Sequence, residues 1–305
     1  MLVGGRLYEP NEGIRVNAKA NDEVRQGELV LVATPLGNLG DISRRALEIL
    51  ETADVIYCED TRHSRVLFSA YELAVRGRLQ ALHEHNEASL CEEVVERVRG
   101  GAVVALVTDA GTPGISDPGS RVVAALAQAN LRVTTVPGPS AVIGALSISG
   151  LDTERFTMEG FAPRKAGERA RLFAEWVRES RTIIFFESPR RLATTLGELA
   201  EHVGTRQVAV VRELTKLHEE VVRGTVSEVA AVFAAREPLG EIVVVLAGAA
   251  PEAAPDETTL RAALIEELRG DVSVRDAAAS VASTFGVAHR VVYQLALELR
   301  ANGGF

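Results

Sequence analysis

Short apolar runs alternate with segments of helical period from Glu28 onward, and this alternation constrains the fold more than any other feature of the chain. "LVLVA" (29–33), "DVIYCED" (54–60), "AVVALVT" (102–108) and "RVTTV" (132–136) are strand-like runs. Between them lies "RRALEILETA", where Ala46, Leu47, Leu50 and Ala53 recur at helical spacing behind the candidate cap Ser43. "EEVVERVRG" and the stretches after Pro118 and Ser140 read the same way. Strands buried on both faces and linked by helices form parallel sheets, so the expected class is α/β.

A second series of the same kind follows residue 151. "RFTMEGF", a helix around Trp176, "TIIFFES", a helix from Pro189, "QVAVVREL", "EEVVRGTV" and "EIVVVLAG" make up a second sheet. The short turn between "QVAVVREL" and "EEVVRGTV" predicts local antiparallel pairing. "AGAAPEAAPDET" reads as a linker. "SVRDAAASVASTFG" and "VAHRVVYQLALELR" then form a helical hairpin of helix-turn-helix type. The expected organisation is an extension or flexible arm over 1–28, an α/β domain over 29–138, a second over 139–249, a linker over 250–257 and a helical segment over 258–305.

At 305 residues and 47% hydrophobic content, two full cores are available. No apolar run approaches the roughly 20 residues of a membrane span, and the opening residues have no signal-peptide centre, so a cytoplasmic protein is expected. Cys58 and Cys91 fit a reducing compartment. A net charge of -9 argues against nucleic-acid binding by bulk electrostatics, although not against a local basic surface.

Four loops follow the strands of the first half: "TPLGNLGD" (34–41), "EDTRHS" (59–64), "TDAGTPGISDPG" (108–119) and "PGPSA" (137–141). Ligands of parallel α/β sheets sit outside the carboxyl ends of the strands, so these loops should share a crevice. "GISDPGSR" has P-loop glycine spacing, but it lacks the lysine, and Asp117 would repel phosphate. "LGNLGD" lacks the first glycine of a dinucleotide fingerprint. Asp109 and Asp117 could hold Mg²⁺, yet "SDP" reads better as a helix start with Asp117 as cap and Pro118 at the first helical position. "HEHNE" has no third ligand nearby, so no metal site is expected. A large, mostly neutral ligand met by backbone groups fits the loops best.

"LVATPLGNLGDISRRALEILETADVIYCEDTRHS", "LHEHNE", "VTDAGTPGISDPGSRVV", "VPGPSAVIGALSISGL", "MEGFAPRK", "FFESPRRL" and "RELTKLHEEVVRGT" resemble the ribosomal RNA small-subunit methyltransferase I family. That family belongs to the tetrapyrrole-methylase-like group of S-adenosylmethionine enzymes. The resemblance covers about residues 29–248 and resumes weakly in the C-terminal hairpin. It implies two α/β domains with the cofactor in a cleft between them, and a homodimer. It also implies 2′-O-methylation of a cytidine ribose in the decoding region of 16S rRNA, within the assembled 30S subunit. By motif it places S-adenosylmethionine against Leu36, Asp109, Gly111, Thr112, Ile115, Ser116, Ser140 and Ala141. In the second half it places Phe186, Leu214, Gly240, Glu241 and Ile242 over adenine and ribose. The alternatives are a tetrapyrrole or protein side-chain methyltransferase of the same fold, and a non-catalytic ligand-sensing regulator with a helix-turn-helix.

Methyl transfer to a hydroxyl needs an in-line approach, a dry cavity and a destination for the proton. Positioning can account for roughly 7–11 kcal/mol of the barrier, whereas a general base adds ~10²–10⁴-fold. The polar candidates at strand ends are Asp60, Arg62, His85, Glu187 and Glu213. Asp60 reads equally as a helix cap paired with Arg62. Arg164, Lys165, Arg190, Arg212, Lys216 and Arg290 are candidate RNA cations beside the crevice or on the last helix. Arg169 and Arg191 belong to the same basic clusters.

Overall fold

The computed structural model describes residues 26–75, 77–250, 255–270 and 272–301. The expected arm lies almost wholly outside these residues, as does the middle of the linker. The first sheet contains β1 (Glu28–Val32), β2 (Val55–Cys58), β3 (Leu79–Ala81), β4 (Val103–Val107) and β5 (Arg132–Val136). Its order is β3-β2-β4-β1-β5, and each pairing is parallel. The chain runs outward from β1 to β2 and β3, then returns to place β4 between β2 and β1. The loops after β1 and β4 therefore leave neighbouring strands at a reversal of strand order, where α/β sheets bind ligands.

Helices α1 (Arg44–Thr52), α2 (Thr61–Ala70), α3 (Glu87–Arg99), α4 (Ser120–Gln128) and α5 (Ala141–Ser149) follow the strands. Alternation along each strand divides the core into two layers. Val30, Val32, Ile56, Ala105 and Val107 pack with Ala46, Leu50 and Phe68, while Leu29, Tyr57, Val104 and Leu106 pack with Val94, Val98, Val122 and Leu126. Ser43 caps α1 by accepting from the amide of Ala46, as its sequence position predicts. β3 escapes sequence analysis because it has three residues, two partly buried and one exposed, and carries no apolar run.

Asp117 does not cap α4, contrary to the reading of "SDP". The helix begins at Ser120 behind Gly119, whose φ of 132° is open to glycine. The cap comes from Glu87 at the start of α3. Its buried carboxylate Oε1 accepts from the amides of Gly119 (3.0 Å), Arg121 (2.8 Å) and Val122 (3.4 Å). A negative charge meeting three free N–H groups at a helix start satisfies both hydrogen bonding and the helix dipole.

The second sheet has the order β6-β7-β10-β8-β9. Its strands are β6 (Phe156–Phe161), β7 (Thr182–Glu187), β8 (Gln207–Arg212), β9 (Glu220–Thr225) and β10 (Ile242–Leu246). β6 and β7 are parallel. β8 and β9 are neighbours joined by a connection too short for a crossover, which requires the antiparallel pair expected from the sequence. Helices α6 (Ala166–Trp176), α7 (Pro189–Val203) and α8 (Val226–Ala234) accompany the sheet, and Pro189 opens α7 at its first turn. The C-terminal region holds three helices: α9 (Glu257–Leu268), α10 (Val274–Phe285) and α11 (His289–Ala301). Sequence analysis finds only the last two, because α9 buries just Leu260 and Leu264 and shows little periodicity. All three share one apolar cluster. No helix among the described residues is long and apolar enough to cross a membrane.

By packing, the chain divides into two compact units. The first runs to Ile148 and takes in residues 211–221 and 240–243. The sequence reading placed this boundary after residue 138, before α5.

Removing the Glu87 carboxylate strands the amides at the start of α4. Glu87→Ala is expected to lower unfolding free energy by about 1–3 kcal/mol, with Glu87→Gln recovering part of it. Urea unfolding measures both, and an unchanged midpoint in the alanine variant contradicts the capping role.

Candidate functional site

Backbone and hydroxyl bonds stitch the strand-end loops of the first unit together. Thr34 and Gly111 form an antiparallel bridge just beyond the parallel strands, with Thr34 N donating to Gly111 O (2.9 Å) and Gly111 N to Thr34 O (3.0 Å). The Thr34 hydroxyl, fully buried, donates to the Thr108 carbonyl at 3.1 Å. Thr112 Oγ1 donates to the Pro139 carbonyl at 3.0 Å, joining the loop after β5. Asp60 N donates to Asp109 Oδ1 at 3.3 Å, joining the loop after β2. Gly111 has φ 86°, and a Cβ there would press on the Leu36 side chain at 3.3 Å.

Two later segments belong to the same unit. Leu214 lies so close to Gly144 that a Cβ on that residue would meet its Cδ2 at 2.8 Å. The Lys216 side chain lies over Gly37, where any Cβ would overlap it. Its Nζ reaches Glu213 (2.9 Å) and Glu241 (3.1 Å), while a Cβ on Gly240 would collide with the Glu213 carboxylate. Lys216 therefore ties the loops at 34–41, 213–219 and 240–241 into one structure. Glu213 (φ 52°), Thr215 (φ 68°) and Ser116 (φ 63°) are held in the left-handed region, which costs non-glycine residues energy and is concentrated at functional sites. The buried Thr215 hydroxyl has no hydrogen-bond partner among the described residues.

The acidic groups here occupy different environments. Asp60 caps α2 through the amide of Arg62 (2.7 Å) and pairs with its guanidinium (2.8 Å), which holds its carboxyl well below the usual range. Burial, then the charge of Asp109, pushes Glu59 upward. Asp117 rises to about 6, chiefly because burial disfavours its charge and secondly because Glu59 and Asp109 are near. Asp109 Oδ2 lies 3.2 Å from His63 Nδ1. Among the described residues, no group of three or more His, Cys, Asp or Glu is placed to hold a metal ion.

Residues 28–230 match the family Tetrapyrrole (Corrin/Porphyrin) Methylases, and residues 252–300 match the RsmI C-terminal HTH domain. "Ribosomal RNA small subunit methyltransferase I" of Mycobacterium tuberculosis (strain CDC 1551 / Oshkosh) is 48% identical over 91% of this chain and 97% of its own length. The protein of the same name from Synechocystis sp. (strain ATCC 27184 / PCC 6803 / Kazusa) is 43% identical over 91% of this chain and all of its own. The chain belongs to the ribosomal RNA small subunit methyltransferase I family. Solved structures of cobalt precorrin-4 methyltransferase (17% identity, TM-score 0.54) and diphthine synthase (16%, TM-score 0.53) share its fold. They cover 75% and 72% of this chain and 98% and 89% of their own.

For this member of the methyltransferase I family, the structure brings Leu36, Asp109, Gly111, Thr112, Ile115, Ser116, Ser140, Ala141, Leu214, Gly240, Glu241 and Ile242 into the first unit, and leaves Phe186 in the second. Glu187 also lies in the second unit. Its side chain is fully buried, accepts from Ser188 N (2.6 Å) and Thr195 Oγ1 (2.7 Å), and pairs with the Arg191 guanidinium (2.5 Å). These bonds run to the start of α7. Burial pushes Glu213 up, but the amide of Glu241 and the charge of Lys216 outweigh this and hold it below its usual range. His85 is exposed, on a turn fixed by Asn86, whose Oδ1 accepts from His83 N at 2.8 Å.

Three of the six expected RNA cations, with the neighbouring Arg169 and Arg191, have acidic partners. Lys165 pairs with Glu168, Arg212 with Glu220 and Lys216 with two glutamates. Arg169 is buried against Glu198 and Arg191 pairs with Glu187. Arg164, Arg190 and Arg290 are exposed. Sequence reasoning missed Thr34 and His63, both of which lie inside motifs it singled out.

Ionised Asp117 destabilises the fold. Its folded pKa exceeds the unfolded value, so the stabilising contribution is full at low pH and disappears as pH rises through about 6. Asp117→Asn escapes this loss, and its stability relative to wild type should rise by roughly 1 kcal/mol between pH 5 and pH 8. Urea unfolding at both pH values gives the difference, and a constant gap contradicts the assignment.

Proposed function

We propose that the protein transfers a methyl group from S-adenosylmethionine to the ribose 2′-hydroxyl of a cytidine in 16S rRNA, acting on the 30S subunit as a cytoplasmic homodimer. Family membership supports a methyltransferase of small-subunit rRNA, and the stitched loops of the first unit carry the cofactor reading. A cradle closed by the Thr34–Gly111 bridge, crowded at Gly111 and edged by the exposed side chains of Leu39 and Ile115, suits a bulky ligand that carries a flat aromatic base. The unpartnered Thr215 hydroxyl suits such a ligand's ribose or amino acid end.

S-adenosylmethionine supplies an electrophilic methyl group on a sulfonium. The residues that would hold it are Leu36, Asp109 to Ser116, Ser140, Ala141, Leu214 and Gly240 to Ile242. Their part is to fix it in one orientation and keep water from the methyl group, which is where the larger share of such a barrier is removed. Backbone groups serve this better than flexible side chains, because the hydrogen bonds between the loops set their positions in advance. The exposed cations Arg164, Arg190 and Arg290 are the residues available to RNA phosphates, which reconciles an acidic chain with an acidic substrate. Lys165, Arg212 and Lys216 would have to leave carboxylate partners to do the same.

Incubation with labelled S-adenosylmethionine and 30S subunits lacking the modification, followed by digestion to nucleosides, should place the label in 2′-O-methylcytidine. Label in another nucleoside, in a tetrapyrrole or nowhere contradicts the proposal. Gly111→Val, which forces a branched side chain into a positive-φ position against Leu36, should weaken cofactor binding by at least tenfold in calorimetry. Unchanged affinity would remove this loop from the cofactor site.

A further inference from the structure

The proton of the substrate hydroxyl needs an acceptor, and the carboxylates at the strand ends are already engaged. Asp60 is neutralised by Arg62 and caps α2. Glu187 is buried in bonds to α7. Glu213 is tied to Lys216 and to the amide of Glu241. Glu59 accepts from the backbone of Asp109, and Asp117 is half-buried against Thr108. His85 is exposed and, among the described residues, meets His83 edge-on.

His63 differs from all of these. It lies in the first turn of α2, directly beyond the carboxyl end of β2, and its side chain is 64% exposed. Nδ1 is 3.2 Å from Asp109 Oδ2. Asp109 is itself fixed, since its other oxygen accepts from Asp60 N at 3.3 Å. It stands two residues before Gly111, in the loop that closes the cradle through Thr34. A carboxylate on Nδ1 selects the tautomer with its proton there and leaves Nε2 as a free lone pair on the opposite edge of the ring. The imidazole is thus oriented by the proposed cofactor loop and carried on a neighbouring strand end.

We infer that His63 is the general base of the reaction, with Asp109 as its positioning residue. The inference rests on the ribose methyltransferase reading above. As the hydroxyl oxygen bonds to the methyl carbon, the carbon–sulfur bond of the donor breaks and its electron pair stays on sulfur, leaving a neutral thioether. The hydroxyl proton passes to Nε2, and the resulting imidazolium faces the Asp109 carboxylate until water takes the proton. Charge balances: one sulfonium is consumed and one imidazolium formed.

The test combines kinetics with a spectroscopic reading that needs no turnover. In ¹⁵N NMR of the protein without cofactor, at a pH where the ring is neutral, His63 should carry its proton on Nδ1. Asp109→Asn should shift it toward the commoner Nε2–H form. His63→Asn and His63→Gln should lower kcat by about 10²-fold or more, the range of a lost general base, while the KM for 30S subunits changes less than threefold and donor affinity by calorimetry is retained. A wild-type ring protonated on Nε2, or variants with full kcat, overturns the role of His63, as does a loss confined to KM, which would mark it as an RNA contact. A wild-type protein that labels no ribose overturns the ribose methyltransferase reading itself, and the base assignment with it. Active wild type with equally active His63 variants overturns only the base.

Discussion

Two hydrogen bonds between Thr34 and Gly111 hold the first unit's functional end together. Parallel strands diverge into loops at their carboxyl ends, and those loops have no sheet partner to order them. Here the loops after β1 and β4 pair with each other in the opposite sense, one residue on each side. Glycine at 111 is needed because the bridge requires positive φ in a space already occupied by Leu36. The hydroxyl bonds from Thr34 to Thr108 and from Thr112 to Pro139 extend the same tie to the base of the β4 loop and across to the β5 loop. Removing the bridge would leave each loop free to move independently, at an entropic cost to any ligand that must order them.

Charge is used in this structure mainly to position segments of chain. Glu87 reaches from α3 to the start of α4, Arg169 and Glu198 pair within the second unit, and Lys216 joins three loops by lying over one glycine and between two glutamates. Few arginines and lysines of the basic motifs remain unpaired for a polyanion, in keeping with the overall acidity. Local exposed cations on an acidic body permit approach to RNA without indiscriminate attraction.

Local signals made much of the fold legible before any coordinates. The apolar runs locate nine of the ten strands among the described residues, Ser43 and Pro189 mark helix starts, and dense glycine and proline mark the loops that the structure stitches together. Errors arose where a distant residue does the work. Asp117-Pro118 has the form of a helix start, but Glu87 supplies the cap from 32 residues away, and nothing local in the sequence reports this. Glu187 looks like a strand-end acid, yet it is buried beneath Arg191 and Thr195. β3 and α9 bury too little to leave a pattern. His63 sits between more conspicuous neighbours, and only its distance to Asp109 distinguishes it.

In the proposed function, five segments, 34–41, 108–119, 137–141, 213–216 and 240–242, form one preorganised cradle for the methyl donor. Backbone amide NMR during titration with S-adenosylhomocysteine, the demethylated form of that donor, tests this directly. The account predicts shifts concentrated in those five segments, with the amides of Thr34 and Gly111 protected from hydrogen exchange both before and after binding. Shifts confined to other parts of the chain, or a bridge that is protected only once ligand binds, would contradict it.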